Sequence, residues 1–318
     1  MKKINLQNPK SEVTFEKAFE EFIFFKKATN LSSESIKYYN LCYGYFCGFF
    51  SSDNPCNSIT QKTILEYTNY LRITKPDISP VTINSYLRAI RAILYYCMEL
   101  GYLDRFKINM IKAEKKVKET YTEDELKLLL KKPDLKTCSF SEYRDWVIIN
   151  YFIGTGNRLS TVINILIGNI DFNNNSIILE KTKNRKQQII PLSNTLSEIL
   201  REYLRYRKGN TNDYLFCNYT GTQLSKYSLQ DNIRKYNRSR GVNKTSIHLF
   251  RHTFAKMWIL NGGDIFRLQK LLGHSTIDIV KEYVNMFDSD LQKDYDVFNP
   301  LENLTFTNKR NNKIKMVK

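Results

Sequence analysis

Apolar residues in this chain follow a helical spacing over most of the sequence and strand-like runs in one short stretch of its second half. From about Glu12 to Tyr102 they recur every three to four residues, which is the period of an amphipathic helix. Strand-like runs are confined to the stretch from Asn169 to Leu192, and helical patterns resume after it to about Tyr295. The chain is therefore predicted to be mainly α with a small antiparallel β-sheet in its second half, an α+β class.

Four helices are predicted in the first hundred residues. The first, near Phe15 to Lys27, has aromatic side chains at helical spacing, and we interpret this stripe as core rather than as a base-stacking surface. The residues suited to begin the other three are Ser32 or Ser33, Thr60, and the pair Ser79-Pro80.

The length of 318 residues favours about two domains, and the sequence suggests where they separate. Lys112 to Lys118 is short, charged and poor in apolar residues, as in a linker. Thr122 to Glu125 then forms a capping box that begins a new helix. The predicted organisation is a helical domain at 1–111, a linker at 112–120, a second domain at 121–307 and a basic flexible tail at 308–318.

Charge and cysteine usage limit the class of partner and the compartment. A formal net charge of +17 favours a polyanionic partner, most simply nucleic acid, although a merely soluble basic protein stays open. Six scattered cysteines without a CxxC pair predict reduced thiols rather than disulfides or a zinc site. The sequence has neither a signal-peptide pattern nor an apolar run of membrane-spanning length, so we expect a cytoplasmic protein.

A glycine pair, Gly154 and Gly156, is the first candidate for a ligand-binding motif. The third glycine of a dinucleotide-binding fingerprint would fall at Leu159, and no alternating βαβ pattern follows, so that interpretation is excluded. A phosphate-cradling GxxxxGK[ST] loop is also absent. What remains is Arg158, which by itself is an ordinary solvated charge at the start of the helical pattern Leu159, Val162, Ile163, Leu166.

All three histidines of the chain fall in one 36-residue window of the sequence that also contains Arg251 and Tyr283. His248 and Arg251 are three residues apart on a predicted helix capped by Ser246, so their side chains share one face, whereas His252 lies on another side. His274 falls in a turn after Gly273, and Tyr283 follows nine residues later. Lys183 lies in a lysine-rich turn between two predicted strands, which by default is a solvent-exposed loop.

In this order and spacing, these residues resemble the tyrosine recombinase (phage integrase) family. The resemblance covers about Thr122 to Tyr283, and the helical N-terminal region looks like the family's SAM-like core-binding domain. Only about a dozen residues precede the first predicted helix, which favours the two-domain form without an arm-binding domain. The matching stretches are Gly154-Thr-Gly-Asn-Arg158-Leu-Ser, Lys183 before Ile-Ile-Pro191-Leu, His248-Leu-Phe-Arg251-His252-Thr-Phe-Ala, and Leu272-Gly-His274-Ser-x7-Tyr283.

The sequence departs from the family pattern beside Arg158. The family usually has an acidic residue three positions after this arginine, and Thr161 stands there; the preceding residue is Asn157, where leucine is common. The acid is a supporting group, so the departure concerns how Arg158 is held.

The resemblance implies a site-specific recombinase that cuts and rejoins DNA through a 3′-phosphotyrosine and a Holliday junction, with no metal or other cofactor. Tyr283 would be the nucleophile and Lys183 the general acid, while the arginines clamp the phosphate. A non-cutting DNA-binding regulator on the same scaffold is the alternative, and type IB topoisomerase-like relaxation is a lesser rival. The implied catalytic set is Arg158, Lys183, His248, Arg251, His274 and Tyr283.

The resemblance also implies partners. These are double-stranded DNA with an inverted-repeat recombination site, three further copies of the chain in a tetramer formed through exchange of Leu291 to Leu304, and an accessory DNA-bending or directionality factor. The expected location is the bacterial nucleoid. In the first domain, one helix face is a candidate for DNA contact, although a plain surface helix explains its residues equally well: Thr82, Ser85, Arg88 and Arg91.

Overall fold

The computed structural model describes residues 13–114, 119–179 and 187–273. The chain divides into two compact units, Met1–Lys116 and Val117–Lys318, each with its own hydrophobic core. The predicted domain limits at 111 and 121, and the predicted tail at 308–318, stay predictions. Among the described helices, none has both the length and the apolar character needed to cross a bilayer.

The first unit contains the four helices that the sequence predicts. Each begins after a threonine or serine whose side-chain oxygen accepts a hydrogen bond from the backbone amide three residues on, which satisfies one donor that the helix start leaves unpaired. The capping residues are Thr14, Ser32, Thr60 and Ser79. The helices are α1 (Phe15–Ala28), α2 (Ser33–Cys47), α3 (Gln61–Thr74) and α4 (Pro80–Glu99), with a 3-10 turn at Cys56–Ser58.

Aromatic rings fill the core of this unit, as the spacing along α1 predicts. Phe15 and Phe22 are fully buried, and Phe19 stacks on Tyr43 with a centroid distance of 3.8 Å. Phe25 differs, because 43% of its surface is exposed while its ring stacks on Tyr96. Full burial of a side chain such as Phe15 or Phe22 contributes about 1.5–3 kcal/mol to the free energy of folding, and the partly exposed Phe25 contributes less.

The second unit combines helices with one small sheet. Its three described strands pair in their order along the chain, all antiparallel, with Ile177 of the middle strand paired to both Ile170 and Ile190. This confirms the predicted α+β class with a small antiparallel sheet. The elements are α5 (Glu123–Leu130), α6 (Phe140–Thr155), α7 (Leu159–Val162), a 3-10 turn at Ile167–Asn169, β1 (Ile170–Asp171), β2 (Ser176–Leu179), β3 (Gln188–Pro191), α8 (Asn194–Arg207), α9 (Lys226–Ser239), α10 (Ile247–Leu260) and α11 (Ile265–Leu272).

Tyr121, near the start of this unit, packs against α10. The predicted capping box between Thr122 and Glu125 is present. Just before it, the backbone amide of Tyr121 donates to the Thr253 hydroxyl (2.9 Å), and the Tyr121 ring stacks on Phe250 at 4.5 Å. The contacts fix the first turn of α10, which carries His248, against the entry to the unit.

Two predicted elements are shorter in the structure. The helix predicted from Leu159 to Leu166 ends at Val162, because the Leu166 amide donates to the Asn169 side chain (2.8 Å) and Leu166 pairs with Tyr214 instead. The first strand ends at Asp171 rather than Phe172. There the Asp171 carboxylate accepts from the next two asparagine amides and turns the chain.

Candidate active site

The turn between α6 and α7 places Arg158 next to the end of α11. Gly156 ends α6 with φ +62°, a left-handed conformation that glycine adopts without steric cost. A Cβ on this residue would lie 2.5 Å from a ring carbon of Phe254 and 2.9 Å from a methyl carbon of Leu272. Only glycine therefore fits the turn without displacing the side chains of Phe254 and Leu272.

Arg158 stands at the N-terminal boundary of α7 and is half-buried. Its Nη1 donates a hydrogen bond of 3.2 Å to the backbone carbonyl of Leu272, the last residue of α11. Thr161 replaces the acidic residue that the family usually has three positions on. The Leu272 carbonyl is thus one group in this chain that orients Arg158.

Arg251 reaches the same place from α10. It is 6% exposed; its Nη1 donates to the Gly156 carbonyl (2.8 Å) and its Nη2 to the Leu272 carbonyl (2.7 Å). Two guanidinium groups from separate elements thus converge on one oxygen atom. In a partly dehydrated site, such a pair of cationic donors binds an anionic oxygen strongly.

The end of α11 is also held from the sheet. Gly273 follows it with φ +61°, as the sequence predicts for a helix stop. The side-chain amide of Gln188, at the start of β3, donates to the Lys270 carbonyl (2.7 Å) and the Leu271 carbonyl (2.8 Å). Sequence reasoning identified Gln188 only as a strand residue, since side-chain contacts to distant carbonyls leave no pattern in the sequence.

His248 is exposed in the first turn of α10 and lines a cleft of about 220 Å³ between α9 and the start of α10. Ser246 precedes the helix, but the predicted cap is wrong in one respect, because its side chain makes no capping hydrogen bond. His252 is half-buried. The lining residues of the cleft are Leu159, Tyr227, Gln230, Asp231, Arg234, Thr245, Ser246, Ile247 and His248.

One residue that lines the cleft, Leu159, directly follows Arg158 in the sequence. The polar residues of α9 that line it were not predicted from the sequence. The sequence indicates only that this helix is rich in polar side chains, and the same composition is typical of any solvent-exposed helix. Three predicted site residues, Lys183, His274 and Tyr283, lie outside the described residues, as does the predicted exchange segment from Leu291 to Leu304.

The predicted DNA-contact face of α4 contains two kinds of residue. Arg88 is exposed and Arg91 half-buried. By contrast, the Thr82 hydroxyl shares a hydrogen bond with the capping Ser79, and the Ser85 hydroxyl donates to the Val81 carbonyl. The arginines are therefore the better candidates for long-range contact, while the two hydroxyls serve the helix itself.

Two family models match this chain, and together they cover most of it. The one described as the phage integrase family matches residues 119–290. The one described as the phage integrase SAM-like domain matches residues 14–117.

Named relatives and solved structures agree with these matches. The tyrosine recombinase XerD of Staphylococcus epidermidis is 31% identical over 195 residues, which cover 59% of this chain and 65% of XerD, less than two thirds of its length. XerA of Pyrococcus horikoshii is 27% identical over 287 residues, covering 89% of this chain and 94% of XerA.

Among solved structures, the Tn1549 transposon integrase in complex with circular intermediate DNA has a TM-score of 0.70 at 19% identity, covering 87% of this chain and 97% of that one. XerH bound to palindromic difH substrate has a TM-score of 0.67 at 22% identity, with coverage of 87% and 83%. At these identities the likeness concerns the fold.

Proposed function

This chain belongs to the phage integrase family, and from that premise we propose that it is a site-specific DNA recombinase of the tyrosine type. It cuts and rejoins DNA through a 3′-phosphotyrosine intermediate and a Holliday junction, in integration and excision, inversion or resolution. One observation carries the proposal: Arg158 and Arg251 direct their guanidinium groups at a single oxygen atom.

The arginine pair suits a phosphodiester. Both side chains are permanently charged, and their planar donors match the non-bridging oxygens of a phosphate. A pentacoordinate transition state carries more charge on those oxygens than the ground state does, so fixed donors stabilise it preferentially. Arg251 is buried in protein, which strengthens its electrostatic effect on a bound phosphate.

The other proposed roles follow from the chemistry that cleavage needs. Tyr283 attacks the scissile phosphorus and displaces the 5′ oxygen, which leaves a phosphotyrosyl bond that stores the energy for religation. A free phenol has a pKa of about 10, so the proton must be removed as attack proceeds, and His248 is the candidate base or phosphate ligand. Lys183 protonates the leaving oxygen, and His274 donates to the same phosphate. No metal or other cofactor takes part.

The proposed partner is double-stranded DNA that carries an inverted-repeat recombination site. Four copies of the chain act together on two sites, joined through the segment Leu291 to Leu304, with an accessory DNA-bending or directionality factor as a further partner. The net charge of +17 supports DNA binding that weakens steeply with salt. The proposed location is the bacterial cytoplasm, at the nucleoid.

Covalent trapping tests the proposal. A nicked suicide substrate, made from DNA that flanks the gene, is incubated with wild type, Tyr283→Phe and the matched control Tyr206→Phe, whose side chain is 53% exposed. We expect a protease-sensitive protein–DNA adduct with wild type and Tyr206→Phe alone. An adduct with Tyr283→Phe would overturn the assignment of the nucleophile. Tight binding by wild type without any adduct would favour the non-cutting regulator, and relaxation of any supercoiled plasmid would favour a topoisomerase.

A further inference from the structure

Gln188 occupies a position between the sheet and the arginine pair. It is the first residue of β3 and pairs with Leu179, the last residue of β2. In the sequence, Lys183 lies between these two residues, and Gln188 is the first residue of β3 after it. From there its side chain reaches across to the last turn of α11.

The last carbonyls of α11 show what this contact does. A helix leaves its final four carbonyl oxygens without partners in the helix itself. Here the oxygens of residues 270 and 271 accept from the Gln188 amide, and the Leu272 oxygen accepts from Arg158 and Arg251. Three consecutive carbonyls are thus bound by side chains from β3, from the start of α7 and from α10.

Charge adds to this arrangement. The C-terminal end of a helix carries partial negative charge, which attracts cations within its last turn. The neutral amide of Gln188 donates to two carbonyls without adding a charge there, and the Lys270 carbonyl also accepts from the Gly273 amide (3.1 Å). Both guanidinium groups donate to the third carbonyl, that of Leu272. A shift of the last turn along its axis would move the Leu272 oxygen relative to both arginines.

We propose that Gln188 is a positioning residue for the recombination reaction. It fixes the last turn of α11 to β3, so that the Leu272 carbonyl keeps Arg158 and Arg251 at the spacing that the phosphate requires. The inference rests on the proposed function for its catalytic consequence, although the contact itself does not. It also links the strand that follows Lys183 to the helix that precedes His274 in the sequence.

Three substitutions separate hydrogen bonding from space filling. Gln188→Met keeps the length and removes the donors. Gln188→Glu keeps the shape but turns acceptors toward two carbonyls, and Gln188→Lys restores donors with a charge suited to a helix C-terminus. Gln187→Met, the same change at the exposed preceding residue, is the matched control.

The measurements are the rate of adduct formation at saturating suicide substrate, the affinity for intact DNA, and amide hydrogen exchange at the end of α11. We expect the rate to fall about tenfold to a hundredfold with Gln188→Met, the scale of a small misplacement of catalytic groups. It should fall further with Gln188→Glu, return to within about threefold of wild type with Gln188→Lys, and stay unchanged with Gln187→Met. DNA affinity should change little throughout, and exchange should quicken in the Met and Glu variants.

Two results would overturn the proposal. One is a wild-type rate with Gln188→Met; the other is a parallel loss of rate, DNA affinity and melting temperature, which indicates a general structural role. If wild type binds DNA but forms no adduct, the proposed function fails, and hydrogen exchange alone then decides whether Gln188 fixes α11. In that case unchanged exchange in Gln188→Met contradicts the proposal and faster exchange supports it.

Discussion

The buried side chain of Asn157 donates a hydrogen bond of 2.9 Å to the phenol oxygen of Tyr151, six residues earlier in the chain. Burial raises the pKa of this phenol, so it stays neutral. Asn157 therefore supplies a hydrogen-bond partner to a neutral hydroxyl in the hydrophobic core of the second unit. The asparagine that stands where the family commonly has leucine is therefore explained by the tyrosine beneath it.

Exchange of Asn157 for leucine should destabilise the protein even though leucine is the commoner residue. Asn157→Leu leaves the buried Tyr151 hydroxyl without this partner, at a cost of about 1–3 kcal/mol in the free energy of unfolding. Chemical denaturation followed by circular dichroism measures this. The double variant with Tyr151→Phe should recover most of the loss, because both polar partners are then gone. A double variant as unstable as the sum of the single ones would show that the bond carries no coupling.

Gly156→Ala should lower the free energy of unfolding more than Gly241→Ala does. Both glycines have positive φ, but a Cβ at Gly241 meets nothing within 4 Å, whereas one at Gly156 overlaps Phe254 and Leu272. Each change carries a conformational cost of about 1–2 kcal/mol. Overpacking adds about 1–3 kcal/mol at Gly156, so we expect that difference between the two variants in denaturant unfolding. Equal losses would mean that the neighbouring side chains move aside freely.

Local sequence signals predicted most of the framework. Ser32, Thr60, Ser79 and Thr122 each precede an apolar periodic run, and each begins a helix, because a capping side chain acts on its own backbone within three residues. The same reasoning failed at Leu166. There a partner more than forty residues away, Tyr214, competes with the helix, and periodicity carries no record of that contact.

The candidate site was only partly predictable for a related reason. The resemblance to the family identified Arg158 and Arg251, because the motifs that carry it include these two side chains. The group that joins them is the backbone carbonyl of Leu272, and every residue has a carbonyl. Such a role depends on where α11 ends in space, which only the folded chain reveals.

The stability of the protein should depend on pH through the carboxyl group of Glu125. Partial burial acts to raise the pKa of this carboxyl, but hydrogen bonds from Lys244 Nζ and from the Thr122 amide, both 2.8 Å, outweigh it and leave the pKa below 4.5. A lowered pKa stabilises the folded state above about pH 4.5, and this stabilisation is lost as the pH falls through the folded pKa.

Wild type should therefore be more stable than Glu125→Gln at pH 7, by about 0.5–1 kcal/mol after solvent screening. The difference should vanish below the folded pKa. Glu123→Gln is the control, since Glu123 lies in the same first turn of α5 and shares the helix-dipole contribution. The free energy of unfolding is measured across this pH range for both variants. An equal pH dependence in Glu125→Gln and Glu123→Gln would contradict the prediction.

The arginines of α4 should govern salt-dependent binding to DNA. Arg88→Gln and Arg91→Gln should each weaken binding and reduce the slope of log affinity against log salt by about 0.9, the effect of one lost phosphate contact. Thr82→Ala and Ser85→Ala should change the slope little, because their hydroxyls bond within the helix. Arg72→Gln on α3 serves as an exposed control, and fluorescence anisotropy at several salt concentrations gives the slopes. An unchanged slope in both arginine variants would remove this face from the DNA interface.

Arg251→Lys should nearly abolish adduct formation although the charge is kept. Lysine is a single point of charge, so it cannot donate to the Gly156 and Leu272 carbonyls together and also present a planar pair of donors to a phosphate. We expect the single-turnover rate on the suicide substrate to fall at least a hundredfold, the scale seen when one fixed donor to a transition-state oxyanion is removed. Arg267→Lys, at an exposed position of α11, should leave the rate unchanged. If both variants cleave at the wild-type rate, charge alone suffices at residue 251, and the shared Leu272 carbonyl does not organise the site.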